Sequence, residues 1–404
     1  MSYKGAVWNE SEAYLDPITR RPCRKLTKYG IYNMTPTYHT NHGFSADGRF
    51  VVFSTGRGGR SVALKANCET GELTQLTEWV DGLGGRDELH KLNGTGIGTG
   101  NGVAGIHMSL APNSGWCCYV LNSSLLAVNI HTLEERVLIA DFGSDWIGGI
   151  PSISPDETEV LLPTYPPHPQ LAAGQVISKT YMQCLNEGLS KPVMRVLRVP
   201  LAGGPWSIFY QEEGVISAHI PHNPGDPDIV LFDRDTPPSY WSANGKDEVS
   251  RCWTYNARNG ELKPLRARNA RSFQVHSVWT FDGSAMLYHG PAAEGGWYIG
   301  AITRDGETIS EYTFPEYKFY GHVAADPVRK AVIIDGNLSP DLLMWVHYGE
   351  ATPRIEIIAR HGTEWGGLPG QYSHVHPMAD PTGRFISMNV ARGGRTDVHI
   401  VQVG

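Results

Sequence analysis

The hydrophobic and polar positions of this chain follow a pattern that repeats along its whole length. Short polar turns with D-G, P-N or P-D signals each precede a run of β-branched and aromatic residues, which is typical of a strand entered from a turn. The seven copies are FSADGRFVVF (44–53), SLAPNSGWCCYV (109–120), SISPDETEVLL (152–162), HIPHNPGDPDIVLF (219–232), SVWTFDGSAMLYH (277–289), HVAADPVRKAVII (322–334) and HPMADPTGRFISM (376–388). Each of the first six is followed by a second signature of strand, polar turn and strand, as in SVALKANCETGELTQLT (61–77). Four antiparallel strands per repeated unit predict the blades of a β-propeller.

The last copy is one strand short, because the chain ends at RTDVHIVQVG (395–404). The segment PCRKLT (22–27) resembles the outer-strand ending ELTQLT (72–77), so an N-terminal strand is expected to complete the last blade and remove its exposed edge. We therefore predict one all-β domain over 1–404, a seven-bladed propeller of four-stranded antiparallel blades closed by strands from both termini. Two stacked β-sandwiches would explain the strands but not the sevenfold spacing. An insertion at 164–192, helical in pattern over 176–190, is a candidate lid.

Composition removes several classes of function. The net charge is −7 and no block of Lys and Arg occurs, so nucleic acid is not expected as a partner. No run of eighteen apolar residues and no leader-like start are present, which predicts a cytoplasmic protein without a membrane span. The six cysteines form no CxxC pair, and Cys117 and Cys118 should face opposite sides of one strand as reduced, buried thiols. The sequence leaves the oligomeric state open.

Histidines recur at or just before the start of the first strand of a blade. First strands line the channel of a propeller and begin at one mouth, so these side chains should share a rim. Imidazole suits both metal ligation and proton transfer near neutral pH, and six blades with a histidine at one mouth favour chemistry over chance. The histidines are His42, His107, His219, His276, His322 and the pair His374 and His376.

The segment QYSHVHP (371–377) suggests a metal site. On an extended strand His374 and His376 would point the same way. Together with Gln371, and with His276 from the fifth blade, they offer three imidazoles and an amide oxygen, a set that suits Mn, Fe, Co, Ni or Zn rather than Ca. No cysteine is near, so an open site in which the ion acts as a Lewis acid is expected rather than a closed structural zinc site. The alternative is that these residues are polar side chains of a hydrated rim.

Three segments resemble motifs of the oligogalacturonate lyases, polysaccharide lyase family 22. They are HGTEWGGLPGQYSHVHP (361–377), VHSVWTFDG (275–283) and SAHIPHNPGDPDIVLF (217–232). The resemblance covers nearly the whole chain and implies a seven-bladed propeller that cleaves short pectic uronides by β-elimination with a divalent metal, usually manganese. It implies that Gln371, His374, His376 and His276 bind the metal. It also implies that His219 is the catalytic base, with Arg195, or otherwise Arg198, as its electrostatic partner.

The chain departs from the family pattern at positions that would contact substrate. Ser277 stands where the family has glutamate, and the loops 164–192 and 235–250 do not match. Three readings therefore remain. They are an oligogalacturonate lyase, a lyase for another uronide such as a rhamnose–glucuronate linkage in which His39, His42 or His107 takes part, and a non-catalytic propeller that binds a sugar or a protein. The residues expected to contact a uronide oligosaccharide are His42, His107, His322 and Tyr372, with Trp279 and Trp365 as further aromatic candidates.

Overall fold

Seven antiparallel sheets, arranged as the blades of a β-propeller, make up the described part of this chain. The computed structural model describes residues 2–36, 42–82, 103, 105–175, 178–179, 183–184, 187–189, 191, 193–215, 219–234, 250–266, 274–317, 321–368 and 370–404. The all-β, seven-bladed prediction is confirmed.

The first three blades follow three N-terminal strands. Those strands are β1 (Val7–Asn9), β2 (Glu12–Leu15) and β3 (Pro22–Lys25). Blade 1 contains β4 (Tyr32–Met34), β5 (Phe50–Arg57), β6 (Arg60–Asn67), β7 (Glu72–Gln75) and β8 (Val80–Asp81). Blade 2 contains β9 (Met108–Leu110), β10 (Trp116–Leu121), β11 (Ser124–Asn129) and β12 (Glu135–Ile139). Blade 3 contains β13 (Ile147–Gly148), β14 (Ser152–Ile153), β15 (Glu159–Tyr165), β16 (Val193–Pro200) and β17 (Ser207–Glu213).

The other four blades carry the site described below. Blade 4 contains β18 (His222–Asn223), β19 (Asp226–Asp233), β20 (Cys252–Asn256) and β21 (Glu261–Pro264). Blade 5 contains β22 (His276–Trp279), β23 (Ala285–Pro291), β24 (Trp297–Thr303) and β25 (Thr308–Phe314). Blade 6 contains β26 (Val323–Ala325), β27 (Ala331–Ile334), β28 (Leu342–His347) and β29 (Arg354–Arg360). Blade 7 contains β30 (Met378–Ala379), β31 (Phe385–Arg392) and β32 (Arg395–Gln402). Short 3₁₀ turns at Gly105–His107 and Gly370–Ser373 precede blades 2 and 7.

The N-terminus closes the ring, as predicted. Strand β3 pairs antiparallel with β32, with Cys23 opposite Val401, and so supplies the fourth strand of blade 7. Strand β2 adds a fifth strand outside it. Strand β1 instead joins the outer edge of blade 1, where Trp8 lies opposite Leu73. The first 25 residues therefore tie the last blade to the first.

A hydroxyl and a carboxylate fix the turn between the first and second strands of several blades. In blade 5 the Thr280 hydroxyl donates to Asp282 at 2.6 Å and accepts the backbone N–H of Ala285 at 3.1 Å. Because both strand ends bond to one side chain, the register of the two strands is set at the turn. The same hydroxyl–carboxylate contact recurs as Ser45–Asp47 and Ser154–Asp156.

The core lies between neighbouring blades. Cys117 packs in the cluster between blades 1 and 2, and Cys118 packs between blades 2 and 3 against Val160 and Leu162. The adjacent cysteines thus face opposite sides of β10, as the strand pattern requires. All six cysteines are free and buried.

Within the insertion at 164–192, the structure describes one turn of helix, α1 (Pro169–Ala172). Most of the segment 176–190, which the sequence predicts to be helical, lies outside the described residues, as do His39 and most of the loop 235–250. In the part of the chain that is described, no helix combines the length and hydrophobicity needed to cross a bilayer.

Deleting residues 1–28 should lower the melting temperature and broaden the unfolding transition, because it removes β3 and exposes the long edge of β32. Deleting only residues 1–9 removes β1, leaves blade 7 intact and serves as the matched control. Circular dichroism melting of both truncations compares them. An unchanged transition in the longer truncation would contradict the assigned closure.

Candidate active site

One register position on the first strands is a histidine in five of the described blades. In blade 5 the backbone N–H of Thr280 donates to Ala285 at 2.8 Å where the second strand begins, and His276 stands four residues before Thr280. Blade 3 has Ile150 at this position, and in blade 1 the position lies outside the described residues. By the same backbone pairing, the equivalent residues of blades 2, 4, 6 and 7 are His107, His219, His322 and His376.

Three predicted metal ligands, Gln371, His374 and His376, converge with His322. Donor atoms of His322, His374 and His376 all lie within 4.8 Å of one another. His322 Nε2 is 3.3 Å from His374 Nδ1, and Gln371 Oε1 is 2.7 Å from His376 Nε2. The sequence listed His322 only as a substrate contact, whereas the fold places it inside this cluster.

The local backbone at His374 and His376 differs from the extended strand that the sequence suggested. The 3₁₀ turn Gly370–Ser373 comes first, and β30 begins only at Met378. His376 has φ of 47°, a left-handed conformation that costs a residue other than glycine roughly 1–3 kcal/mol. The two imidazoles therefore converge through a turn and a strained residue rather than through strand alternation.

The donor atoms fit a divalent metal ion. Two nitrogens bound to one ion at about 2.1 Å are roughly 3 Å apart, close to the spacing of His322 Nε2 and His374 Nδ1. Burial lowers the pKa of His374 to about 4 and lowers the pKa values of His322 and His376 as well, so each keeps a lone pair at neutral pH. Three neutral imidazoles and the amide oxygen of Gln371 suit a borderline divalent ion.

A buried carboxylate lies behind the cluster. Asp335 Oδ2 accepts Nδ1–H of His322 at 2.9 Å, and its Oδ1 accepts the backbone N–H of His322 at 2.6 Å. The backbone N–H of His376 also donates to Asp335, at 3.2 Å. Burial raises the pKa of Asp335 to about 6. One side chain thus orients residues from two neighbouring blades.

His219 forms a separate histidine–carboxylate pair beside the cluster. Its Nδ1 is 3.1 Å from Asp233 Oδ2, which also accepts a hydrogen bond from Arg251 at 3.1 Å. Burial alone would raise the pKa of Asp233, but the Arg251 charge and the His219 hydrogen bond hold it below its ordinary value. An ionised carboxylate only accepts, so His219 carries its proton on Nδ1 and has a lone pair on Nε2. His219 occupies the same first-strand register position as His322 and His376, in a blade of the same ring.

His222, three residues further on, serves a different surface. It is buried, its Nδ1 lies 3.0 Å from Ser152 Oγ, and its Nε2 is 3.8 Å from Glu159. Both neighbours belong to blade 3. His222 therefore contacts blade 3, whereas His219 contacts Asp233 of its own blade.

The arginines expected beside His219 make other contacts. Arg195 lies in β16 opposite Thr164, to whose hydroxyl its Nε donates at 2.9 Å, and it stacks on the Trp146 ring at 3.8 Å. Arg198 forms an ion pair with Glu159 at 3.1 Å. The guanidinium that contacts the carboxylate partner of His219 is Arg251, which sequence reasoning missed.

The sequence analysis also missed the polar residues on the second strands that are hydrogen-bonded to the rim histidines. Asp233, His289 and Asp335 follow their histidine partners by 14, 13 and 13 residues. These similar offsets of 13 or 14 residues were visible in the sequence. In blade 5, His276 Nδ1 is 2.8 Å from His289 Nε2 and 3.0 Å from the carbonyl oxygen of Gly321. His276 also stacks on His322, with ring centroids 4.8 Å apart.

The other residues expected to contact substrate have different surroundings. His42 stacks on Phe281 at 5.7 Å, and Phe281 follows the end of β22 that is farther from His276. His107 is buried at the head of blade 2. Tyr372 is 2% exposed and packs on Tyr32, so it belongs to the core rather than to an open surface.

The two tryptophans proposed to stack on sugars differ from each other in exposure. Trp279 is 4% exposed and belongs to the core cluster between blades 4 and 5. Trp365 is half-buried, with its ring centroid 5.5 Å from that of His374.

No protein-family model matches the chain, and no curated protein matches it by sequence. Among solved structures, the chain is similar to an oligogalacturonate lyase in complex with manganese, at 20% identity and a TM-score of 0.76, covering 100% of this chain and 99% of that one. It is also similar to an oligogalacturonate lyase from Vibrio parahaemolyticus, at 20% identity and a TM-score of 0.77, covering 99% of both. A dipeptidyl peptidase 4 from Porphyromonas gingivalis matches at 8% identity and a TM-score of 0.52, over 95% of this chain and 56% of that one. These comparisons show that the chain has the seven-bladed fold of the two lyases along its full length.

Proposed function

We propose that this protein is a metal-dependent carbon–oxygen lyase that cleaves short uronic-acid oligosaccharides by β-elimination and leaves a 4,5-unsaturated uronate. One observation carries the proposal. A donor set of imidazoles and an amide adjoins a separate His219–Asp233 pair at one mouth of the propeller. The two solved neighbours that match the whole chain are named as oligogalacturonate lyases, one in complex with manganese.

The difficult step in this reaction is loss of the proton at C5 of the uronate. That proton is weakly acidic because the neighbouring carboxylate resists a second negative charge. A divalent ion such as Mn²⁺ would supply a Lewis acid for that carboxylate when bound by Gln371, His374 and His376 with a further imidazole. These side chains would hold the carboxylate end of the sugar against the rim.

His219 is the proposed base. Its neutral Nε2 takes the C5 proton, the C5–H electrons form the C4–C5 double bond, and the C4–O bond breaks with its electrons on the leaving oxygen. Asp233 holds the imidazole in the required tautomer and stabilises its charge after protonation. Arg251 keeps Asp233 ionised. The leaving oxygen takes a proton from His219 or from water.

Two residues that are not metal donors, Arg195 and Trp365, are also proposed to contact the substrate. The Arg195 guanidinium is fixed by the Thr164 hydroxyl and by the carbonyl of Phe142 at 2.8 Å, and a planar cation so held can bind a carboxylate. The half-buried Trp365 offers an apolar face beside His374.

The two alternatives are a lyase for a different uronide and a propeller that binds a sugar or a protein without catalysing a reaction. Ser277 is fully buried, with its Oγ 2.7 Å from Cys252 Sγ, so the serine that replaces the family glutamate does not by itself select a different sugar. A scaffold that only binds a sugar or protein has no need for a metal donor set next to an oriented base. Six free cysteines favour a reducing compartment such as the cytoplasm, where the substrate would be an imported oligomer.

The protein loaded with Mn²⁺ should release an unsaturated product that absorbs in the ultraviolet from short oligogalacturonates. The same oligosaccharides with their carboxyl groups reduced to alcohols should give none, because C5–H is then not acidified. A rhamnose–glucuronate disaccharide tests the second uronide class. Absence of product from every uronide, with metal bound, would favour the binding scaffold.

The double variant His374→Ala/His376→Ala should lose its bound divalent ion, since it removes two of the three imidazoles whose donors lie within 4.8 Å. Elemental analysis of protein dialysed against metal-free buffer measures this. Stoichiometric metal in the double variant would contradict the assigned donor set.

His219→Ala should lose about 10²–10⁴ in the rate of elimination while keeping its metal, because it removes a positioned base. His222→Ala is the matched control, since His222 contacts blade 3, and it should keep most of the rate. Arg195→Ala should slow elimination, whereas Arg198→Ala should lose only an ion pair with Glu159. Product absorbance gives the four rates. If the His219→Ala variant kept the rate of elimination while the His222→Ala variant lost it, the assignment of His219 as the base would be wrong.

A further inference from the structure

The carboxylate of Asp233 accepts a hydrogen bond on its second oxygen as well, from the thiol of Cys252. Asp233 lies directly opposite Cys252 in the pairing of β19 with β20, so the two side chains share one face of blade 4. Cys252 Sγ is 3.2 Å from Asp233 Oδ1, whereas His219 and Arg251 bond to Oδ2. Asp233 and Cys252 are both fully buried. Donors on both oxygens therefore fix the orientation of this carboxylate.

The direction of each hydrogen bond around Cys252 follows from the chemistry of its partners. Burial raises the pKa of the thiol well above its ordinary value, so the sulfur keeps its one proton at neutral pH. An ionised carboxylate can only accept, so the thiol donates that proton to Asp233. Cys252 Sγ is also 2.7 Å from Ser277 Oγ, and the Ser277 hydroxyl therefore donates to the sulfur. A chain of donors thus leads from Ser277 through Cys252 to the carboxylate that holds His219.

This chain joins the base to the neighbouring blade. Ser277 belongs to β22 of blade 5, and Arg251 of blade 4 donates to the carbonyl oxygen of Val275 in the same segment, at 2.5 Å. Successive side chains of a strand face opposite ways, so Ser277 faces blade 4 while His276, stacked on His322, faces blade 6. The partners of Asp233 are therefore bonded to blade 5 at the residues on either side of His276.

We infer that Cys252 and Ser277 are positioning residues for the proton-abstracting base, acting through Asp233. The inference rests on the proposed function only in taking His219 as that base. The thiol keeps the carboxylate turned so that Oδ2 meets His219 Nδ1, and it draws negative charge toward Oδ1. A histidine beside an uncompensated carboxylate is readily protonated and then cannot accept a proton. Cys252 and Arg251 both offset that charge.

Four titratable groups of blades 5 to 7 interact electrostatically with the partners of Asp233. Burial keeps all four neutral near neutral pH, because it raises the pKa of the phenol and lowers the pKa values of the imidazoles. They are Tyr298, His289, His322 and His376. A change of pH profile on substitution of Cys252 is therefore assigned to the His219–Asp233 pair.

Proton NMR of the full-length protein tests the arrangement without substrate. A histidine N–H that donates to a carboxylate resonates far downfield of the amide protons, and the signal that His219→Ala removes belongs to His219. Cys252→Ala should move this signal, because the carboxylate loses one donor. Cys252→Ser restores a donor and should return the signal toward its original position. Cys117→Ala is the matched control, since Cys117 is equally buried but lies in blade 2, and it should leave the signal unmoved.

The kinetics of elimination give a second measurement. Cys252→Ala should lower kcat about 3–10-fold with little change in KM, the size expected for loss of one uncharged donor. The acid limb of its kcat/KM profile should move to higher pH, because the carboxylate beside the base then carries more charge. Cys252→Ser should recover most of both effects. An equal loss in the alanine and serine variants, with the acid limb unmoved, would mean that Cys252 only fills space and would overturn the inference.

Ser277→Ala covers the case in which Cys252→Ala does not fold, and a melting curve is recorded for every variant. It removes the donor to the sulfur and should move the His219 signal in the same direction as Cys252→Ala, by less. An unmoved signal in every folded variant of Cys252 and Ser277 would overturn the inference whether or not uronides are cleaved. A signal that moves in Cys252→Ala and returns in Cys252→Ser, in a protein that cleaves no uronide, would support the positioning of His219 and reject the proposed function alone.

Discussion

The antiparallel pairing of Pro22–Lys25 with Arg395–Gln402 holds the ring closed, and the arrangement of the rim depends on it. The side chains that converge at the mouth come from blades 4 to 7, which are separate sheets that only a closed ring keeps in contact. Blade 7 contributes Gln371, His374 and His376, yet its fourth strand is the N-terminal segment. A chain region far from the site in sequence thus determines whether three donor atoms stay within 4.8 Å of one another.

Two histidine–carboxylate pairs at this mouth have similar geometry and different electrostatics. Asp233 has Arg251 beside it, and its pKa stays below the ordinary value, so His219 is backed by a full negative charge. For Asp335, burial raises the pKa to about 6, and the carboxylate accepts hydrogen bonds from two blades instead of an ion pair. The first environment suits a base that becomes charged during reaction. The second suits a ligand that must be held still.

Several features of the fold and the site could be predicted from the sequence alone, and others could not be predicted. The repeat predicts the fold, the ring closure and the position of the rim histidines along their strands. In each repeat the turn is held by local hydrogen bonds, such as the one between Thr280 and Asp282. The surroundings of Tyr372 and His42 could not be predicted, because a rim position in sequence does not say which neighbours a side chain packs against. Arg251 was missed because its contact with Asp233 joins strands separated by the residues 235–249, which carry no pattern.

The sequence by itself determined the blades, their number and the histidines at the start of their first strands, because these depend on strand periodicity and local turn chemistry. Only the tertiary structure decided which histidines meet. His276 and His322 occupy the same register position in neighbouring blades, yet their surroundings differ. The residue opposite each on the second strand is His289 for one and Asp335 for the other. A hydrogen bond across two strands joins each pair, and that contact exists only after the sheet has formed.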